Sequence, residues 1–348
     1  MPHDNPLGLD GFEFVEFTSA DPEALGDLFR RLGFAHRSDH KAKKVRHYAQ
    51  GDINFLLNME ASGHAEDFRG AHGPSASAMA FRVADAERAL ALAVERGATR
   101  VEGEYGLPAI EGIGGSYLYL VDRYGAETIY DRDFEPTGEE AAPSGLHTLD
   151  HLTHNVHRGR MDHWAQFYER IFNFRQIRYF DIEGQQTALL SRAMTAPDDK
   201  IRIPLNESQD EFSQIEEFLK EYKGEGIQHL ALATDDIFAT VDQLRANGIR
   251  FQDSPDTYYD MIDKRVPGHG HSIAEMRKRR ILIDGSPETG EGLLLQIFTE
   301  NMIGPIFFEI IQRKGNEGFG EGNFKALFES IELDQIRRGV IPAASEPA

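Results

Sequence analysis

Three residues in the second half of this chain combine ligand chemistry with apolar surroundings: His151 in LDHLTHNV, His229 in GIQHLALAT and Glu309 in PIFFEIIQ. Each sits in a short β-branched or aromatic run with the pattern of a strand. Two imidazoles and one carboxylate form a facial triad, which leaves half of an octahedral metal open. With nitrogen and oxygen donors and no thiolate, the set points to non-haem Fe(II) and oxygen chemistry. A carboxylate amid PIFFEII is costly to bury unless it is paired or bound to a cation. The competing partners are Arg313 and Lys314, just beyond the same run. Alternation puts His151, Thr153 and Asn155 on one strand face and Leu152, His154 and Val156 on the other, so His154 reads as structural.

Three distant residues meet only if their strands are neighbours, and the chain shows the arrangement by repeating itself. Near the start FEFVEF alternates as a strand, Asp21 and Pro22 open a helix, and EALGDLFRRLGF supplies its apolar stripe. In the second half HLTHNV precedes the helical pattern MDHWAQFYERIFNF. A second pair aligns SAMAFRVADAERALALAVERGA with QHLALATDDIFATVDQLRANGI, setting Asp85 against Asp236 and Gly97 against Gly248. Further strands are expected at residues 47–57, 117–121 and 127–130, then at 178–182, 187–190, 201–205 and 293–298. The pattern describes four βαβββ modules, two per half, each pair curling into an open barrel: an α+β fold. In EPTGEEAAPSG apolar periodicity gives way to proline, glycine and charge. The domains are therefore a first barrel over 1–134, a linker over 135–145 and a second barrel over 146–348.

The repeat also localises the chemistry. Alignment sets Ala78 opposite His229, Gly11 opposite His151 and Ile129 near Glu309, so the first half lacks the ligands. The site belongs to the second barrel, and the first is a scaffold.

Other polar motifs have simpler readings. His269 and His271 in HGHS fall in a Gly/Pro-containing segment and read as a solvated loop. The pairs Asp198-Asp199, Glu216-Glu217 and Asp235-Asp236 sit at turns or helix starts, where capping and the helix dipole account for them. GFGEG and GEGNF follow no strand of nucleotide-binding context. A final helix is expected at about 323–338, with Phe324, Leu327, Phe328 and Ile331 along one face. It reads as a packing helix or as a lid whose first aromatic closes the metal pocket against water.

Composition narrows the class. The formal net charge of -21 argues against nucleic acid or an anionic membrane as the main partner. The absence of cysteine excludes disulfides, thiol nucleophiles and cysteine-ligated metals. The start MPHDNPLGLDG has no basic or apolar leader, and no run is long enough to span a bilayer, so a cytoplasmic enzyme is expected.

Taken together, DHLTHNV, GIQHLALAT, PDTYY, LLLQIF, FFEIIQRKG and GFGEGNFKALFESIE resemble the 4-hydroxyphenylpyruvate dioxygenases. The likeness spans essentially the whole chain and is densest over 146–340. It implies the vicinal-oxygen-chelate fold and Fe(II) on residues matching His151, His229 and Glu309. By the same resemblance Phe298 and Phe324 sandwich a substrate ring, and Ser191, Asn206, Gln214, Gln228, Gln296 and Asn323 belong to the substrate pocket. Phe298, Phe324, Gln228 and Gln296 act closest to the reaction. Strict alternation, however, turns Gln228 away from His229. The implied reaction converts 4-hydroxyphenylpyruvate and O2 to homogentisate and CO2, in tyrosine and phenylalanine breakdown. The α-keto acid supplies the electrons, so no flavin, nicotinamide, pterin or separate 2-oxoglutarate is expected. A homo-oligomer, dimer or tetramer, is implied as well. The alternatives are a 4-hydroxymandelate synthase, which oxidises the benzylic carbon of the same substrate, an extradiol catechol dioxygenase, and a metal-free binding protein on the same modules.

Overall fold

The computed structural model describes residues 4–140, 142–183, 188–209, 211 and 213–327. The first half runs β1 (Phe12–Thr18), α1 (Pro22–Arg31), β2 (Ala35–His40), β3 (Val45–Gln50), β4 (Ile53–Asn58), α2 (His64–His72), β5 (Ser75–Arg82), α3 (Ala86–Glu95), β6 (Arg100–Val101), β7 (Ala109–Glu111), β8 (Tyr117–Val121), α4 (Ile129–Asp133) and β9 (Phe134–Pro136). The second half runs β10 (Leu146–Val156), α5 (Met161–Phe172), β11 (Arg175–Glu183), β12 (Ala188–Thr195), β13 (Arg202–Ser208), α6 (Gln214–Tyr222), β14 (Gly226–Thr234), α7 (Ile237–Ala246), α8 (Asp256–Asp260), α9 (Ile262–Arg265), α10 (Ile273–Arg279), β15 (Leu282–Ser286), β16 (Gly292–Phe298) and β17 (Phe307–Lys314). Residues 321–327 are helical; the remainder of the expected lid helix, including Phe328 and Ile331, lies outside the described residues.

Strand order shows the repeat directly. The first sheet is ordered β6-β7-β8-β5-β1-β4-β3-β2-β9 and the second β11-β12-β13-β10-β14-β17-β16-β15. In every module the first strand lies parallel to the fourth, and the two modules of each half join first strand to first strand, antiparallel. The helices start where local chemistry says they should. Asp21 accepts from the Ala24 amide at 3.0 Å, and Asp236 accepts from the amides of Phe238 and Ala239, both at 3.1 Å. One hydrophobic core runs through both halves between sheets and helices, with Phe55 of the first half 6.1 Å from Phe308 of the second.

Three expectations need correcting. Residues 127–130 are not a strand: Thr128 and Asp131 form a reciprocal capping box that opens α4. The expected strand at 47–57 is a hairpin, turning at Gly51 with φ +58. His269 is not solvated; it is 7% exposed, pairs with Asp263 at 3.0 Å and accepts from the His271 amide at 3.1 Å. The first sheet extends to Pro136, because β9 pairs with β2.

Register also re-aligns the halves. Thr153 pairs with His229 as Glu16 pairs with Ala78, and Ala231 lies beside Glu309 as Ala80 lies beside Tyr119. The first-half counterparts of His151, His229 and Glu309 are thus Phe14, Ala78 and Tyr119. Gly11 and Ile129 drop out of that comparison. All three counterparts lie in one apolar cluster inside the first barrel, with the Phe14 and Tyr119 rings 5.6 Å apart.

Candidate metal centre

His151, Ala231 and Glu309 stand in line across β10, β14 and β17. The alanine methyl at the centre leaves space for the flanking side chains to reach toward one another, and His229 enters from two residues up β14. Nε2 of His151 lies 3.3 Å from Glu309 Oε2, and Nε2 of His229 lies 3.5 Å from it. Among the described residues this is the one group of three such donors, all mutually within 4.8 Å and all buried. Glu309 Oε1 is buried without a hydrogen-bond partner among the described residues, an orphan that a cation would satisfy. Neither Arg313 nor Lys314 takes the pairing role considered for Glu309: Arg313 is turned to Asp150, with Nε and Nη2 each 2.7 Å from a carboxylate oxygen.

Each imidazole is aimed by the residue just before it. His151 Nδ1 donates to Asp150 Oδ1 at 2.8 Å, and His229 Nδ1 donates to Gln228 Oε1 at 3.0 Å. Regular alternation forbids this, since neighbours in a strand point to opposite faces. Both strands break the rule at that point. Between the pairs Leu149–Leu232 and His151–Ala231 the first strand carries one extra residue, Asp150; between Thr153–His229 and His154–Ile227 the second carries Gln228. A β-bulge at each place turns the extra side chain to the ligand's face. The resulting Nδ1–H bonds fix the tautomer and leave Nε2 for a metal.

Electrostatics set the two rings apart. Burial pushes His229 below its ordinary pKa, so its ring is neutral and free to ligate. Burial also opposes charge on His151, but the Glu309 and Asp150 carboxylates outweigh it and hold its pKa up. Burial would raise Glu309 and Asp150. Instead His151 holds Glu309 down, and Arg313 with His151 holds Asp150 well below the carboxylate range. His154 points away, 2.8 Å from the Tyr168 hydroxyl, and burial lowers it to about 3.

Through His229 the triad borders a cavity of about 460 Å³, within the usual range for small-molecule sites. Ser191, Asn206, Gln214, Gln228, Phe298 and Phe324, the residues that the resemblance assigns to a substrate pocket, line it. Ser191 and Asn206 face each other directly across β12 and β13. Two expected pocket residues are not part of its wall. Gln296 is buried against Gly320, where even a methyl carbon would sit 1.8 Å from its Oε1. Asn323 is turned inward to accept from the Tyr258 hydroxyl at 2.6 Å and from Arg265 at 3.2 Å, anchoring the final helix. Three neighbours of the triad were not anticipated from the sequence: Phe307, stacked on His229 at 4.8 Å, Phe319, 5.2 Å from His151, and Asp150. The doublets Asp-His and Gln-His were the available signal, an acceptor directly before each ligand.

A paired βαβββ barrel with two histidines and a glutamate in one half defines a metal-binding protein of the vicinal-oxygen-chelate class. The model of the N-terminal part of hydroxyphenylpyruvate dioxygenase matches residues 3–135, and that of the glyoxalase, bleomycin-resistance and dioxygenase superfamily matches residues 148–261. A 4-hydroxyphenylpyruvate dioxygenase of Pseudomonas aeruginosa is 60% identical over 348 residues, covering 97% of each chain. A solved fusion of a xylose isomerase-like TIM barrel with a 4-hydroxyphenylpyruvate dioxygenase matches with TM-score 0.82 and 32% identity, over 95% of this chain and 54% of that one. A variant of 4-hydroxymandelate synthase from Streptomyces coelicolor matches with TM-score 0.79 and 26% identity, over 94% of this chain and 99% of that one. The chain belongs to the 4-hydroxyphenylpyruvate dioxygenase family.

Proposed function

We propose that this chain converts 4-hydroxyphenylpyruvate and O2 to homogentisate and CO2, as a cytoplasmic homo-oligomer, dimer or tetramer, with Fe(II) as its one cofactor. The observation that carries this is the buried His151–His229–Glu309 group opening, through His229, on an aromatic-lined cavity in one barrel only. Iron held by His151, His229 and Glu309 would offer open positions for the substrate's α-keto acid to chelate and would supply the redox chemistry for O2.

The chain's own residues do the rest. Asp150 and Gln228 hold the two rings in aim. Phe298, directly across from Glu309 on the neighbouring strand, supplies a flat wall for an aromatic ring, with Phe324 on the helical side. Ser191 and Asn206 offer hydroxyl and amide groups to the phenol end, and Gln214 lines the same cavity. The apolar walls Leu189, Ile215, Leu282 and Ile297 keep water from the reacting centre.

Purified protein reconstituted with Fe(II) and ascorbate should consume O2 with 4-hydroxyphenylpyruvate and release homogentisate. Release of 4-hydroxymandelate would assign the chain instead to the activity of its 26% identical structural neighbour. The 60% identity to a dioxygenase favours the first outcome.

A further inference from the structure

Arg313 reaches in two directions. Nε and Nη2 lie on the two oxygens of Asp150, both at 2.7 Å, while Nη1 donates to the carbonyls of Asn316 at 3.0 Å and Gly318 at 2.7 Å. The guanidinium also sits 5.7 Å over the Phe319 ring, and Phe319 meets the His151 ring at 5.2 Å. A second cation repeats the arrangement: Arg202 on β13 faces Asp150 Oδ2 at 3.6 Å and also pairs with Glu317. Segment 316–319 is therefore held by two guanidiniums whose other contact is the carboxylate that aims a metal ligand. From there the Phe319 amide donates to Glu321 at 2.8 Å, where the helix carrying Phe324 and Leu327 along the cavity begins.

We propose that Arg313 is a positioning residue that couples the aim of the His151 ring to the docking of residues 316–327 beside the cavity. A planar fork with five donors can grip a carboxylate with two of them and still serve two carbonyls; an ammonium sets its three donors on a single nitrogen and cannot span both partners. Rotation of the His151 ring shifts Asp150, and the fork then loses its alignment with Asn316 and Gly318. Lifting of the loop withdraws Phe319 from His151 and frees the guanidinium to turn. Such coupling is reciprocal: a metal that fixes His151 tightens 316–327, and an undocked 316–327 weakens the metal. The proposal rests on the metal reading of the triad.

The test follows hydrogen exchange of peptides covering 316–327 in the full-length protein with and without Co(II), beside Co(II) affinity from its visible absorption. In the wild type, Co(II) should slow exchange of that segment by about 5- to 150-fold. In Arg313→Gln the ratio should fall toward one, and Co(II) affinity should drop by about 10- to 100-fold. Arg313→Lys should lie between, and it carries the same comparison if Arg313→Gln does not fold. A merely structural arginine would loosen 316–327 equally with and without Co(II), so an unchanged ratio in either folded variant overturns the coupling. Wild-type protein that binds Co(II) with no effect on 316–327 overturns the coupling alone. Wild-type protein that takes up no Co(II) overturns the metal reading and the coupling with it.

Discussion

His151 and His229 each spend their Nδ1 proton on the residue before them, which makes Asp150 and Gln228 as consequential as the ligands. Gln228→Leu keeps the volume and removes the acceptor, so the His229 ring loses its fixed tautomer. Metal affinity should fall about 10- to 100-fold, read by Co(II) titration. Equal affinity in the variant would show that Gln228 does not aim the ring. A second residue-scale prediction lies in the first barrel, where Glu16 is fully buried among Ser77, Asn58 and the Tyr105 hydroxyl. Burial raises its pKa from 4.5 to about 6. The fold thus favours the protonated form. As pH rises from 4.5 toward 6 the unfolded chain loses this proton first, and the fold loses about 2 kcal/mol that stays lost at neutral pH. Glu16→Gln should remove that decline, so urea midpoints at pH 4.5 and 7 should lie closer together than in the parent. At this scale the candidate ligands were legible because a histidine or carboxylate in an apolar run is conspicuous. Asp150 was not, because a polar residue beside a ligand looks like ordinary strand alternation until the bulge is seen.

Between residue and fold stand the irregularities of the elements. Gly320 has φ +75, and any Cβ there would sit 1.8 Å from the Gln296 amide oxygen. Gly320→Ala should push residues 321–327 away from Gln296 and widen the cavity on its helical side. Expected are a raised KM for the aromatic α-keto acid and, through the coupling of 316–327 to His151, weaker metal retention, measured together on one preparation; normal KM would mean the helix start tolerates the shift. The four modules were readable from strand, cap, helix and glycine stop, since Asp85 and Asp236 cap as their positions demand. Residues 127–130 misled because GAETIYD has strand-forming residues, yet Thr128 and Asp131 satisfy each other's backbone first. The bulges stayed invisible since an extra residue shows only against a partner strand.

Across the whole molecule, two sheets of one topology share a core while differing in what fills their barrels. Because that core is continuous, thermal unfolding should be one transition, and stripping the metal should move it down as a unit. With free metal at about 100 times its Kd, the shift corresponds to about 2.7 kcal/mol. Calorimetry showing two transitions, with the metal moving just one, would mean that the halves melt separately. Domain pairing and the location of the site were legible from the repeat. The true counterparts Phe14 and Tyr119 were not, because aligning glycines and motifs ignores the register that strand pairing imposes.

The two bulges give this site an unusual way to fail. Loss of a single codon, at position 150 or 228, would regularise a strand and delete the acceptor while sparing every metal ligand. An allele of that kind would pass any inspection that counts histidines and glutamates, yet one of its two rings would hang unaimed.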